Sequence, residues 1–132
     1  MSHDVSIPVL RDPWMVAAFD GWNDAADAAT GVADHLIEQW DAELLLELEP
    51  EEFYVFTDPH LRPQVHHSDA DGARTITWPT PRVYIARPKR SGRDVLILRA
   101  PEPSVRWKAF CSTVVGFAQL CGVRELYSLG AL

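Results

Sequence analysis

Trp14-Met15-Val16-Ala17-Ala18-Phe19 runs apolar without interruption between Pro13 and Gly21. An apolar run with no alternation predicts a strand covered on both faces, the centre of an α/β sheet. Asp20-Gly21-Trp22-Asn23 then predicts the turn out of that strand. Asn23 or Asp24 can cap the helix that follows, and Asp24 and Asp27 suit its positive end. In that helix Ala25, Ala29, Val32, Ala33, Leu36, Ile37 and Trp40 recur at helical spacing, with Asp27, Asp34, Glu38 and Asp41 largely on the other side. The stripe begins with small side chains, which lets a helix backbone come close to a sheet.

Beyond this unit, residues 42–48 and 53–56 read as short strands separated by a turn at Pro50. Residues 65–67 and 74–78 read as a hairpin at one edge of the sheet, with Asp71-Gly72 as its turn. Residues 83–86 and 95–98 are further strands joined by a polar loop. A second helix is expected over 104–121, its stripe Val105, Phe110, Val114, Phe117 and Cys121, its stop Gly122. Residues 124–129 read as a last strand. The order predicts one α/β domain over residues 1–132 with a mixed sheet. Leu126 to Leu129 is apolar enough for a central strand, so the fold is expected to be incomplete at its C-terminus, or completed by a dimer.

The composition suits this reading. The 132 residues are 47% hydrophobic and 23% charged, enough for one core and too apolar for disorder. No apolar run approaches the roughly 18 residues that span a bilayer, and Met1-Ser2-His3-Asp4 lacks the pattern of a secretory signal. A cytoplasmic location is expected. Cys111 and Cys121 lie ten apart in one helical pattern and so on different faces, which predicts two reduced packing residues. The net charge of −7 is unevenly spread. Residues 1–61 hold fourteen acids and the single base Arg11, whereas residues 62–132 hold five acids and eleven bases. This argues against nucleic acid and leaves either two differently charged solvated faces or a contact between unlike faces of two copies.

Ligands in open α/β sheets collect at the carboxyl ends of the strands. If the strands ending at Asp20 and near Arg99 are parallel neighbours, Asp20, Trp22, Asn23, Glu102, Arg106 and Trp107 converge on one edge. These six are the candidates for an interaction surface or ligand cleft. They equally suit structural work, with Asn23 and Ser104 as caps, Glu102 paired to Arg106, and the tryptophans filling space between layers. Catalytic patterns fit poorly: the chain holds no GxSxG elbow, no GxGxxG and no phosphate-binding loop. His66, His67, Asp69 and Asp71 cluster in the hairpin, but adjacent histidines on a strand point to opposite faces, so no metal is expected there.

Phe19-Asp20-Gly21-Trp22-Asn23-Asp24-Ala25 closely resembles the opening of bacterial members of the proteasome assembly chaperone 2 family. So do Glu49-Pro50-Glu51-Glu52-Phe53-Tyr54, Ile76-Thr77-Trp78-Pro79, Glu102-Pro103 with Arg106-Trp107, and Leu129-Gly130-Ala131-Leu132, all in family order. The resemblance implies an α/β sandwich on a mixed sheet like that of nucleoside phosphorylases. It also implies homo-oligomers and, in eukaryotic relatives, chaperoning of the proteasome α-ring. No catalytic residue, cofactor or metal comes with it. Family members are roughly twice as long, so this chain is expected to match their N-terminal portion. A hydrophobic–tyrosine–any tail, which docks some of them into the proteasome, is not what Gly130-Ala131-Leu132 offers. The implied function is a non-enzymatic factor binding proteasome subunits, with no nucleic acid or membrane partner. The alternative is a binder of nucleoside- or phosphate-like molecules, or a hydrolase-like enzyme, working in the strand-end cleft.

Overall fold

The computed structural model describes residues 6–132, so the first four residues, read above for a signal, lie outside it. The decisive apolar run is β1 (Trp14–Asp20), and its neighbour β6 (Val95–Pro101) is buried along most of its length. The two lie parallel, Trp14 opposite Val95 through Asp20 opposite Pro101. With β2 (Glu43–Glu47), β5 (Arg82–Ala86) and β7 (Leu126–Ser128) they form a five-stranded sheet in the order β2-β5-β6-β1-β7. β7 joins β1 in parallel, while β2–β5 and β5–β6 are antiparallel, so the sheet is mixed as expected.

Each face of the sheet carries one long helix. Val16, Ala18, Val95 and Ile97 pack against Ala29 and Ala33 of α1 (Ala28–Gln39). The alanines allow the close approach that the small stripe promised. On the opposite face Met15, Ala17, Leu96, Leu98 and Ala100 pack against Phe110, Val114, Ala118 and Cys121 of α3 (Trp107–Leu120) and its C-cap. Because strand side chains alternate, neighbouring residues of one buried strand serve two different cores.

Several expectations need correction. Residues 53–56 form no strand. Pro50–Phe53 is instead the short helix α2, with Pro50 in its first turn, the Glu49 carboxylate accepting the Glu51 amide, and Glu51 and Glu52 at its positive end. The helix α3 starts at Trp107, not near residue 104, because the Ser104 and Val105 amides both donate to the Phe53 carbonyl. Val105 is accordingly exposed, as are Ala25 and Val32 of the other stripe, whereas Thr30, which carried no apolar signal, is buried. Of the cysteines, Cys121 packs in the core but Cys111 is exposed; both are free.

The hairpin also differs. β3 (Gln64–His67) and β4 (Arg74–Thr77) pair only with each other, as a two-stranded ribbon separate from the main sheet. Its connection is longer than a tight turn: the Gly72 amide donates to the Ser68 carbonyl, and Asp71 accepts the Ala73 amide. His66 and His67 point to opposite faces, as the alternation requires. Among the described residues, no helix is long and apolar enough to cross a membrane.

The start of the described chain is fixed by a buried acid. Asp94, fully buried at the head of β6, accepts the Arg11 amide at 2.8 Å and its guanidinium at 3.0 and 3.3 Å. Burial pushes the Asp94 carboxyl up, but the Arg11 amide and guanidinium outweigh it and hold the group below the usual carboxylate range.

Candidate functional site

Because β1 and β6 run parallel, their carboxyl ends open side by side, and a cleft of about 870 Å³ lies there. Its walls come from the turn after β1 (Asp20, Gly21, Trp22, Asp24, Asp27) and the segment ending β6 (Pro101 to Ser104). A third wall is Asp58, His60 and Leu61, which flank or belong to the 3-10 turn Pro59–Leu61. Of the six candidates, Asp20, Trp22 and Glu102 line this cleft. Asn23, Arg106 and Trp107 do not. The Asn23 carbonyl accepts the Ala131 amide at 2.7 Å, so its backbone is occupied in holding the C-terminal segment against the β1 turn. Arg106 lies 3.8 Å from Glu52 rather than pairing with Glu102, and its guanidinium sits 5.9 Å from the Phe53 ring centre. Trp107 opens α3 and is half exposed.

The turn after β1 is built around Asp24. Its carboxylate accepts the Ala29 and Thr30 amides at 2.8 and 2.9 Å and the Thr30 hydroxyl at 2.6 Å, capping α1 from five residues upstream. The reach is possible because a 3-10 turn with left-handed Ala26 and Asp27 separates Asp24 from the helix. Burial raises the Asp24 carboxyl, yet the Thr30 hydroxyl and the two amides win, and it stays below the ordinary range. Of the two anticipated caps, Asn23 and Asp24, it is Asp24 that serves; its distance from the helix was not legible.

Asp20 behaves in the opposite way. Burial pushes its carboxyl up, Arg99 at 3.1 Å pulls it back, and the nearby Asp24 and Asp34 charges add to the rise. Arg99 is shared, reaching Asp34 on α1 at 2.6 Å. Carboxylate oxygens of Asp20, Asp24 and Asp27 lie within 4.8 Å of one another. A cation there would compete with Arg99 for Asp20 and with the helix amides for Asp24.

Gly21 permits the close packing of the two walls. Its φ is +142°, and a β-carbon there would lie 2.7 Å from Glu102 Cδ. Gly21→Ala is therefore expected to cost about 1–2 kcal/mol and to push the Glu102 side chain out of the cleft. A thermal melt checks it; an unchanged midpoint would show that the turn relaxes freely. On the far wall the Tyr54 hydroxyl donates to the Pro101 carbonyl at 2.7 Å, and burial drives its ionisation well above the usual range. The Ser104 hydroxyl oxygen accepts the Val55 amide at 3.2 Å, which makes it a strut between segments.

Trp22 stands apart from these fixed groups. It is 86% exposed, the largest side chain at the cleft mouth and barely packed. The surface around it is anionic, with Asp20, Asp24, Asp27, Asp58 and Glu102 in the lining and His60 the one basic group there among the described residues. Sequence reading missed Asp58 and His60, because a loop residue far along the chain gives no periodic signal of where it lands.

Comparison with known proteins agrees with this architecture. The chain is 43% identical to a PAC2 family protein from Streptomyces avermitilis, with a TM-score of 0.85 over 92% of this chain and 50% of that one. It is 36% identical to a proteasome-assembly chaperone homologue from Mycobacterium tuberculosis, with a TM-score of 0.82 over 89% of this chain and 49% of that one. A protein of unknown function from Corynebacterium glutamicum is 25% identical, with a TM-score of 0.77 over 98% of this chain and 47% of that one. The chain thus spans about half the length of these structures. No curated protein sequence matches it. The PAC2 family profile matches residues 18–132, and the chain belongs to that family.

Proposed function

We propose that this chain is a non-enzymatic, cytoplasmic protein-binding factor that engages proteasome subunits through the strand-end cleft. The observation that carries the reading is Trp22, almost fully exposed at the mouth of an anionic cleft. A large exposed aromatic side chain at a concave edge is the kind of group that anchors protein interfaces. Trp107, half exposed at the start of α3, is a second aromatic outside the cleft. The likeness to a proteasome-assembly chaperone homologue supplies the partner class.

The cleft's polar groups support binding over catalysis. Asp24 is committed to capping α1, Asp20 to Arg99, and Ser104 to the Val55 amide. A nucleophile and a base in mutual contact do not emerge from these pairings. The same carboxylates repel a phosphate, which weighs against the phosphate-binding alternative. They favour a partner segment carrying lysine or arginine.

The test is affinity capture from the native cytosol, with the wild-type chain and its Trp22→Ala variant as baits. Proteasome subunits recovered by the first and lost with the second support the reading. Equal recovery by both would move the contact elsewhere on the surface. Recovery by neither, with both baits folded, would count against proteasome binding by this chain.

A further inference from the structure

The main sheet is open at β2. This strand pairs with β5 on one side, and among the described residues no backbone group of Glu43 to Glu47 has a partner on the other. Alternate amides and carbonyls of an edge strand point outward, where another extended chain can pair with them. A groove of about 650 Å³ lies along this edge. It is touched by Leu45, Leu46, Glu47 and Leu48 in succession. Successive strand side chains face opposite ways, so the edge of the strand is itself part of the wall. The three leucines are half-buried against the core, while Trp78, also in the lining, is 44% exposed. Its indole is braced edge-to-face on Phe56, ring centres 5.0 Å apart. A register shift between Leu44 and Leu46 bends β2 at the head of the groove, which keeps any paired segment short.

The charge of the groove narrows the occupant. Glu47 is paired with Arg82 at 3.1 Å, which leaves Glu49 and Glu51 as the acidic rim. Glu49 also accepts the Glu51 amide, a bond that leaves its charge in place. Residues 42–61 contain no lysine or arginine to offset them. The β2 edge of a second copy is a poor fit, because antiparallel pairing in register would set Glu43 against Glu47. A nucleic acid is repelled by the same carboxylates. What fits is an extended backbone with apolar side chains for the lining and basic ones for the rim.

We propose that β2 and this groove take up an extended segment of another protein, in which apolar residues alternate with lysine or arginine, as an added outer strand. Its apolar side chains lie on Leu45, Leu46, Leu48 and Trp78. Its basic side chains reach Glu49 and Glu51, or stack on the Trp78 indole. The groove shares no lining residue with the strand-end cleft, so this second surface stands or falls independently of what binds at Trp22.

The probe is a fluorescent peptide of alternating valine and lysine, about eight residues long, titrated into the 132-residue chain at low salt. Saturable binding is expected in fluorescence anisotropy, with amide hydrogen exchange slowed along residues 43–48. The double variant Glu49→Gln, Glu51→Gln is expected to bind about tenfold more weakly. Glutamine keeps the oxygen that caps α2 and removes only the charge, so circular dichroism should stay unchanged. A proline at the centre of the peptide, which removes an amide from the added ladder, is also expected to cost about tenfold. Absence of saturable binding overturns the proposal, as does equal binding of a valine–glutamate peptide or of the proline peptide. So does slowed exchange confined to the strand-end cleft. Protection of β2 by self-association in the absence of peptide, seen in sedimentation, would make a second copy the occupant and overturn it too.

Discussion

Asp24→Ala lowers the stability of the chain by about 3 kcal/mol, a drop of roughly 10 °C or more in melting temperature for a domain this size. The expectation follows from what the carboxylate holds. Asp24 is 7% exposed and satisfies the Ala29 amide, the Thr30 amide and the Thr30 hydroxyl at once. Ala29 and Thr30 are themselves buried against the sheet, so water cannot readily replace the lost acceptor. An ordinary exposed cap is worth about 1 kcal/mol; burial of three donors raises the figure.

The pH dependence has a definite sign. The folded Asp24 carboxyl is depressed, so its stabilisation is fully present above the unfolded value of about 4 and is lost as pH falls through the lower folded value. Asp94 contributes with the same sign. Asp20 is raised, so its ionisation costs stability at neutral pH and that cost disappears in acid. Chemical denaturation of wild type and Asp24→Ala at several pH values checks this. The gap between them is expected to narrow below pH of about 4; a constant gap would mean that the lost contacts do not depend on the charge.

Trp22→Ala has the converse profile, leaving stability within about 0.5 kcal/mol while weakening partner binding by roughly thirtyfold or more. The indole is 86% exposed in the free chain, so truncation removes little packing. Its contribution is expected only when a partner covers it, with the surrounding carboxylates pairing with basic groups of that partner. A large loss of stability on this substitution would mean that the indole packs against the fold, and the interaction role would fail.

Much of the architecture was readable from patterns that depend on burial alone. The unbroken run Trp14 to Phe19 declared a doubly covered strand, and the alanine stripe of α1 declared a close helix–sheet contact. The parallel pairing of β1 with β6 then brought Asp20 and Glu102 to one edge. What failed was local chemistry acting against pattern. Phe53 is apolar and buried, but Glu49 and Pro50 start a helical turn there. Val105 extends the helical stripe of α3 on paper, yet the Phe53 carbonyl captures its amide and holds it outside the helix.

The site divides along the same line. Trp22 and Glu102 were legible because they follow directly from strand ends. Arg106 turns to Glu52 and Phe53, a choice made by the left-handed backbone at Arg106 itself, φ +57°, which no residue type announces. Asn23 is drawn away from the cleft because the C-terminal segment needs its carbonyl. Thr30 escaped notice because its burial depends on a hydrogen bond to Asp24, and a hydroxyl with a partner is as compatible with a core as a methyl group.

The central claim is most directly tested by titrating purified proteasome subunits into the folded 132-residue chain in a calorimeter, at low and at high salt. Saturable binding that weakens with salt and falls by roughly thirtyfold in Trp22→Ala is the predicted result. Absence of any binding heat at either salt concentration, together with no displacement in a parallel sedimentation run, would contradict it.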